Sequence, residues 1–273
     1  MIQRFFIIAG CLAIVHLACA QEISIHSEFQ RIDPWGRVVR QDLAQNPREV
    51  LSPALPRNGH LSVHIVVTAP PGTNYFLYAG ANPENILRVQ LYREHLVPCG
   101  ESWCGDWLTP VTPPVFGAIP EGIPELPNQT TRTYLLDLWA PADAIPRRVR
   151  VEALIKTGIW DVAPLEVRIV QQSIPAGRVS IAEEIAPLEA PAGATAQIQL
   201  LRYMAGLEPT VPRGMVRLRD ILQRNAAEDM LLARSLSRSF PELNIFGWRP
   251  LMAPVPGGEW YLRVRDFLFR YGY

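Results

Sequence analysis

Lysine is almost missing: of the 26 basic residues, only Lys156 is not arginine. We read this as codon bias of a GC-rich genome, not as chemistry. An excess of one charge is missing too. The 26 acidic residues balance the 26 basic ones, so no overall field draws in nucleic acid or an anionic membrane. The G-x-S-x-G, H-E-x-x-H, P-loop and G-x-G-x-x-G patterns are absent, which removes the common hydrolase, zinc-protease and nucleotide-binding signatures. After residue 20 no apolar run approaches the roughly 20 residues that a membrane span needs. Proline, by contrast, is abundant: 26 of 273 residues, near twice the usual share of about 5%. That argues against a long helical bundle and for short strands joined by stiff loops. Hydrophobic residues at 48% are enough for a core and too many for a disordered chain.

Residues 1–20 have the pattern of an export leader. Arg4 gives a positive start, residues 5–17 form an apolar run broken by Gly10 and His16, and Ala18-Cys19-Ala20 is an A-x-A cleavage site. A lipoprotein reading competes, because Ile8-Ala9-Gly10-Cys11 matches the residue types around a lipidated cysteine. It would leave a greasy mature N-terminus, so cleavage after Ala20 is preferred. The expectation is a secreted or periplasmic protein that begins at Gln21 and has no transmembrane segment. Cys99 and Cys104 then remain, and in an oxidising compartment a nearby pair is expected to form a disulfide.

Alternation of apolar and polar residues predicts strands near 23–29, 60–68, 74–79, 86–95, 133–139, 148–156 and 160–170. Residues 37–58 read as a connection with at most a short strand near Val38-Val39, and 97–130 as a proline-rich excursion without a period. Turns every eight to twelve residues, with no helix between the strands, indicate an antiparallel sandwich. After residue 175 the period changes. Residues 194–205 read as a short helix, and Leu218, Ile221 and Leu222 share a helical face. Asn225 with Glu228 looks like an N-cap restarting a helix through Leu236. Residues 260–269 read as a terminal helix or a last strand.

The stretch Leu136-Asp137-Leu138-Trp139-Ala140-Pro141-Ala142-Asp143-Ala144, followed by Val149-Arg150-Val151-Glu152 and Pro164-Leu165-Glu166-Val167, resembles the closing hairpin of immunoglobulin-like modules in bacterial secreted proteins. In those modules a strand ending in tryptophan and VPADA leads into one carrying YRVEV, and they often accompany carbohydrate-active enzymes. The resemblance carries no catalytic motif. The fold class expected is therefore mainly β: an antiparallel immunoglobulin-like sandwich over residues 21–175, then a mostly α-helical C-terminal region, 176–273, packed on it.

The segment from His95 to Trp107 is the most unusual in the chain. Cys99, Cys104, His95 and Asp106 supply four metal-ligand types, but export works against reduced thiolates, so a disulfide closing a tight loop is preferred and no metal or cofactor is expected. The loop also holds Trp103 and Trp107 with Glu101 and Asp106. Flat aromatics beside carboxylates are what a sugar-binding face uses; the competing reading has both tryptophans covering the sandwich edge. His60 and His64 form an H-x3-H pair, but on a strand they sit about 13 Å apart, at about 3.3 Å per residue, and read as a sheet face. Glu183-Glu184 and Glu228-Asp229 read as solvated faces, and Asn128-Gln129-Thr130 fits a glycosylation sequon. Arg147, Arg148 and Arg150 are too few for nucleic-acid binding. The function expected is an exported, non-catalytic binding or envelope-structural protein whose partner is a glycan or another envelope protein. The competing class is a secreted carbohydrate-active hydrolase with an unrecognised carboxylate pair.

Overall fold

Two-residue alternation drives the architecture of the computed structural model, which describes residues 21–41, 48–175, 214–239, 252–254, 260–262, 265 and 268. The first strands are β1 (Glu22–Ser27), β2 (Arg31–Ile32), β3 (Val38–Arg40), β4 (Ala54–Arg57) and β5 (His60–Thr68). Then come β6 (Thr73–Asn82), β7 (Arg88–Cys99), β8 (Ser102–Val111), β9 (Val115–Ile119) and β10 (Thr131–Trp139). They are followed by β11 (Arg147–Lys156), β12 (Trp160–Ser173), β13 (Val216–Arg217), helix α1 (Leu218–Ser239), β14 (Met252–Pro254) and β15 (Trp260–Leu262). One sheet has six strands in the order β1-β5-β10-β7-β8-β13, and the other five in the order β4-β12-β11-β6-β9. Pairing within them is antiparallel except between β12 and β4.

The inner faces of the two sheets meet in one apolar core. Leu61, Val63, Ile65 and Val67 of β5 and Leu136 and Leu138 of β10 pack with Leu77 of β6, Val151 of β11 and Leu165 of β12. Burying side chains of this kind stabilises by about 1.5–3 kcal/mol each, and it is what joins the layers. Within that core the hydroxyls of Tyr75 and Tyr134 bond each other across the layers at 2.5 Å. Burial, followed by the neighbouring Tyr134, raises the pKa of the Tyr75 hydroxyl well above its ordinary value. Residues 149–152 and 164–167 pair as a β11–β12 hairpin, whereas the preceding tryptophan-ended strand, β10, lies in the other sheet.

β5 and β10 are buried along almost their whole length, not on one face only. The reason is α1, which lies over the outer face of the six-stranded sheet. Leu218 and Ile221 of the helix pack on Leu108 of β8 and Leu135 of β10. At its start, the Asp220 carboxylate accepts the Arg217 N–H at 3.2 Å, in the first turn, where the helix dipole favours an anion.

Four expectations are corrected. The mostly α-helical C-terminal region does not stand: among its described residues there is one long helix, α1, beside the short strands β13, β14 and β15, and the protein is mainly β. Trp260 and Leu262 alternate at the strand period, and β15 pairs with β14. Asn225 restarts no helix. It lies inside α1, where its amide donates to Ser62 Oγ at 3.0 Å, so a polar pair facing the sheet imitated a cap. The excursion at 97–130 contains β8 and β9, because prolines at strand ends and at an unpaired sheet edge do not break the ladder. The segment 37–58 holds β4 as well as β3. The helix expected at 194–205 and the acid pair Glu183-Glu184 fall outside the described residues, as does the leader.

Candidate functional site

Three places on this frame bring chemistry-bearing side chains together. The first is the β7–β8 hairpin. β10 pairs with β7 only as far as Arg93, so the rest of the hairpin extends past its neighbour. Cys99 and Cys104 are bonded, with their Cα atoms 5.7 Å apart. Gly100 turns the chain at φ +65°, a conformation that costs glycine little. The register slips between His95 and Leu96, so His95 faces Trp107, Leu96 faces Gly105, and Asp106 is the extra residue of a bulge. The bulge brings Asp106 and Trp107 to one partner: the Arg217 guanidinium lies 4.1 Å from the Trp107 ring centre and 3.9 Å from the Asp106 carboxylate. Trp103 pairs with Pro98 and, by alternation, faces the opposite side. Glu101 is exposed at the turn. The structure thus joins two of the four sequence-predicted contact residues and separates the tryptophans.

The second place is a buried ionic layer between α1 and the outer face of β5 and β10. Glu228 accepts from His60 Nδ1 at 2.6 Å and from the His60 N–H at 2.7 Å, and pairs with Arg265 at 3.2 Å. Asp229 pairs with Arg265 at 2.6 Å and Arg48 at 3.7 Å, and Arg48 also pairs with Glu28. Glu228 and Asp229 are therefore buried and paired, which corrects the solvated-face reading. Further along, Ser62 donates to Asp137 at 2.6 Å, and Arg224 clamps the same carboxylate at 2.7 and 3.0 Å. His64 bonds Glu94 at 2.5 Å, and Thr133 donates to the other oxygen of Glu94 at 3.2 Å. His60 and His64 do share one sheet face, but a covered one.

Burial alone would push the Glu94 and Glu228 carboxyls up. Histidine contacts, helped by Thr133 and the Arg31 field at Glu94 and by Arg265 at Glu228, outweigh burial and hold both below the usual range. Asp229 goes the other way, because burial exceeds what Arg265 and Arg48 return. Each of these acids has a basic side chain as its partner, which makes the layer a structural joint. Among the described residues no three His, Cys, Asp or Glu side chains converge as a metal-ligand set.

The third place was missed by sequence reasoning: the outer face of the five-stranded sheet. Cross-strand pairing aligns Phe116 of β9, Phe76 of β6, Lys156 of β11 and Trp160 of β12 in one row. Phe76 meets Phe116 edge-on at 5.5 Å and Trp160 at 5.8 Å, and the Lys156 ammonium lies 5.2 Å from the Trp160 ring centre. Phe116 is 73% and Trp160 54% exposed, and Tyr78 and Val162 occupy the next row. The signal was present in the sequence as Phe76 and Tyr78 alternating with buried Tyr75, Leu77 and Ala79, but register was needed to join them to β9 and β12.

No protein-family model matches the chain, and no curated protein does. Among solved structures, a family 123 glycoside hydrolase from Clostridium perfringens aligns at 8% identity and TM-score 0.38, covering 68% of this chain and 35% of that one. The chain thus spans about a third of that enzyme. A PapD-like domain of human CEP192 aligns at 7% identity and TM-score 0.23 over 52% of this chain and 99% of that domain. The C-terminal domain of the Streptococcus agalactiae AgI/II polypeptide BspA aligns at 11% and 0.22, covering 51% of this chain and 56% of that one. At these scores none of them assigns a fold or an activity. Among the described residues no helix is long and apolar enough to cross a membrane.

Proposed function

We propose that this chain is an exported, non-catalytic binding protein, an immunoglobulin-like sandwich that holds a polysaccharide on the outer face of its five-stranded sheet. The observation that carries the reading is the exposed aromatic row of Phe116, Phe76 and Trp160. Scattered exposed apolar residues need no explanation, but aromatics touching one another across three strands form a patch of the kind that marks contact sites. Its chemistry suits sugar rings, whose C–H faces stack on aromatics while their hydroxyls take polar neighbours. Asn74, the Tyr78 hydroxyl and Lys156 supply those neighbours in the same or the adjoining row. Export rests on the leader pattern, and the Cys99–Cys104 disulfide is in keeping with an oxidising compartment.

A glycosidase needs two carboxyl groups about 5–10 Å apart in a cleft. The buried acids under α1 are spent on histidine and arginine partners instead, which supports the non-catalytic reading. Glu101, Trp103, Asp106 and Trp107 remain a smaller contact surface within the same proposal.

Retention on insoluble cellulose, chitin and peptidoglycan tests it. Trp160→Ala and Phe116→Ala should each weaken retention about fivefold, from about 1 kcal/mol per aromatic contact, with melting unchanged because both rings are exposed. Trp103→Ala reads the hairpin in the same assay. No retention on any polymer, or retention by both sheet-face variants equal to that of the unaltered protein, overturns the reading.

A further inference from the structure

Under the β7–β8 hairpin, at the end of the six-stranded sheet where it faces inward, lies a set of cations that the core does not explain. Arg93 pairs with Tyr134 and Arg132 with Val67, both core residues, so both arginines point between the sheets. His95 follows Arg93 on that face and is paired with Trp107, over which Arg217 lies. Arg132 is 6% exposed and holds Glu121 at 2.8 Å. Among the described residues Arg93 forms no ion pair, and Arg93 Nε, Arg132 Nε and Arg217 Nε are buried without a hydrogen-bond acceptor. One oxygen of Glu121 is likewise buried without a donor.

Buried polar atoms are nearly always satisfied, so a cluster of unsatisfied ones calls for a ligand. Three guanidiniums against the carboxylates of Glu121 and Asp106 leave one positive charge. His95 adds none at neutral pH, because burial, with Arg132 and Arg93 nearby, lowers its pKa despite Glu121. Sulfate or a dianionic phosphate ester satisfies the arginines but brings no O–H to Glu121, and inorganic phosphate brings one only through its own P–OH. A hydroxylated carboxylate does both: its carboxylate accepts from arginine and a hydroxyl donates to Glu121. His95, Trp107 and Thr109 are half-exposed, so the floor is buried and the walls are reachable.

We propose that this cluster of Arg93, Arg132, Glu121, His95, Trp107 and Arg217 binds an acidic sugar or a similar hydroxy acid. The site is separate from the aromatic row, so either proposal can fail alone.

Titration of the full chain with glucuronate, inorganic phosphate and glucose, followed by calorimetry and by the indole N–H resonances, tests it. Glucuronate should bind and shift the Trp107 resonance, while glucose does neither. Arg93→Gln should weaken glucuronate at least tenfold, the loss expected for a hydrogen bond to a charged group, and Trp160→Ala should leave it unchanged. Arg93 has no ion pair to lose, so this variant is expected to fold, and the Trp107 shift in the unaltered protein reads the site without it. Binding of phosphate but not glucuronate overturns the hydroxy-acid assignment. No binding of either anion, or equal binding by Arg93→Gln, overturns the site.

Discussion

Glu94 shows how closely single residues are fitted. Its carboxylate is buried among His64, Thr133 and the backbone of Gly105, and a Cβ at Gly105 would come within 2.0 Å of Glu94 Oε2. The glycine is there for close approach, since its φ is not positive. Glu94→Gln removes the charge and leaves His64 facing a neutral amide. Breaking a buried pair from one side costs about 3–5 kcal/mol, and urea unfolding at pH 7 should show a loss of that order. The cost should depend on pH. The folded-state pKa of Glu94 lies below 4.5, so on acidification the unfolded chain takes up the proton first. The stabilisation is complete above about pH 4.5 and is lost as pH falls through the folded-state value, so the gap between wild type and Glu94→Gln should close in acid. A gap that stays constant from pH 7 to pH 3 would contradict the ion pair. Gly105→Ala should destabilise the wild type and do so much less in a Glu94→Ala background, which a double-mutant cycle measures.

At the scale of elements, what the sequence made legible was the strands whose faces alternate. The expected strand at 60–68 coincides with β5, and those near 133–139, 148–156 and 160–170 lie within β10, β11 and β12. What it hid were elements whose local signals also serve another purpose. Asn225 and Glu228, three residues apart, have the spacing of a capping box, yet on α1 that spacing sets both on the sheet-facing side, where they bind Ser62 and His60. His60, Ser62 and His64 look like a wet face until a helix covers them. Prolines concealed β8 and β9, because β9 is an edge strand and Pro110 of β8 lies beyond the two residues that β13 pairs, where a missing N–H costs little. The hairpin that results is closed by a bridge of sequence separation 5. A loop so short gives about 2 kcal/mol at most, so Cys99→Ser with Cys104→Ser should lower global stability by no more than that. The larger effect belongs at the tip, where amide exchange of residues 97–104 should accelerate while β5 and β10 stay protected. Equal acceleration in β5 would mean that the bridge holds the sandwich and not the hairpin.

For the whole molecule, export is the step on which the functional proposal depends, and the fold gives it a spatial side. Gln21, the residue expected to follow cleavage, bonds the Ile159 carbonyl at 3.3 Å and the Thr157 hydroxyl, and the Ile23 N–H donates to Asp161 at 3.1 Å. Those partners form the turn between β11 and β12, beside Trp160. Cleavage after Ala20, which the export proposal requires, would leave Gln21 as the terminal residue on that turn. Intact mass measurement of protein from its native host should therefore show a chain starting at Gln21, without lipid and without a free thiol under denaturing, non-reducing conditions. A diacylglycerol on Cys11 would place the protein on a membrane, and an uncleaved chain with four reactive thiols would place it in a reducing compartment. The first result keeps export and removes only the unanchored assignment; the second removes the export half of the proposal and leaves the aromatic face to be explained by a partner inside the cell.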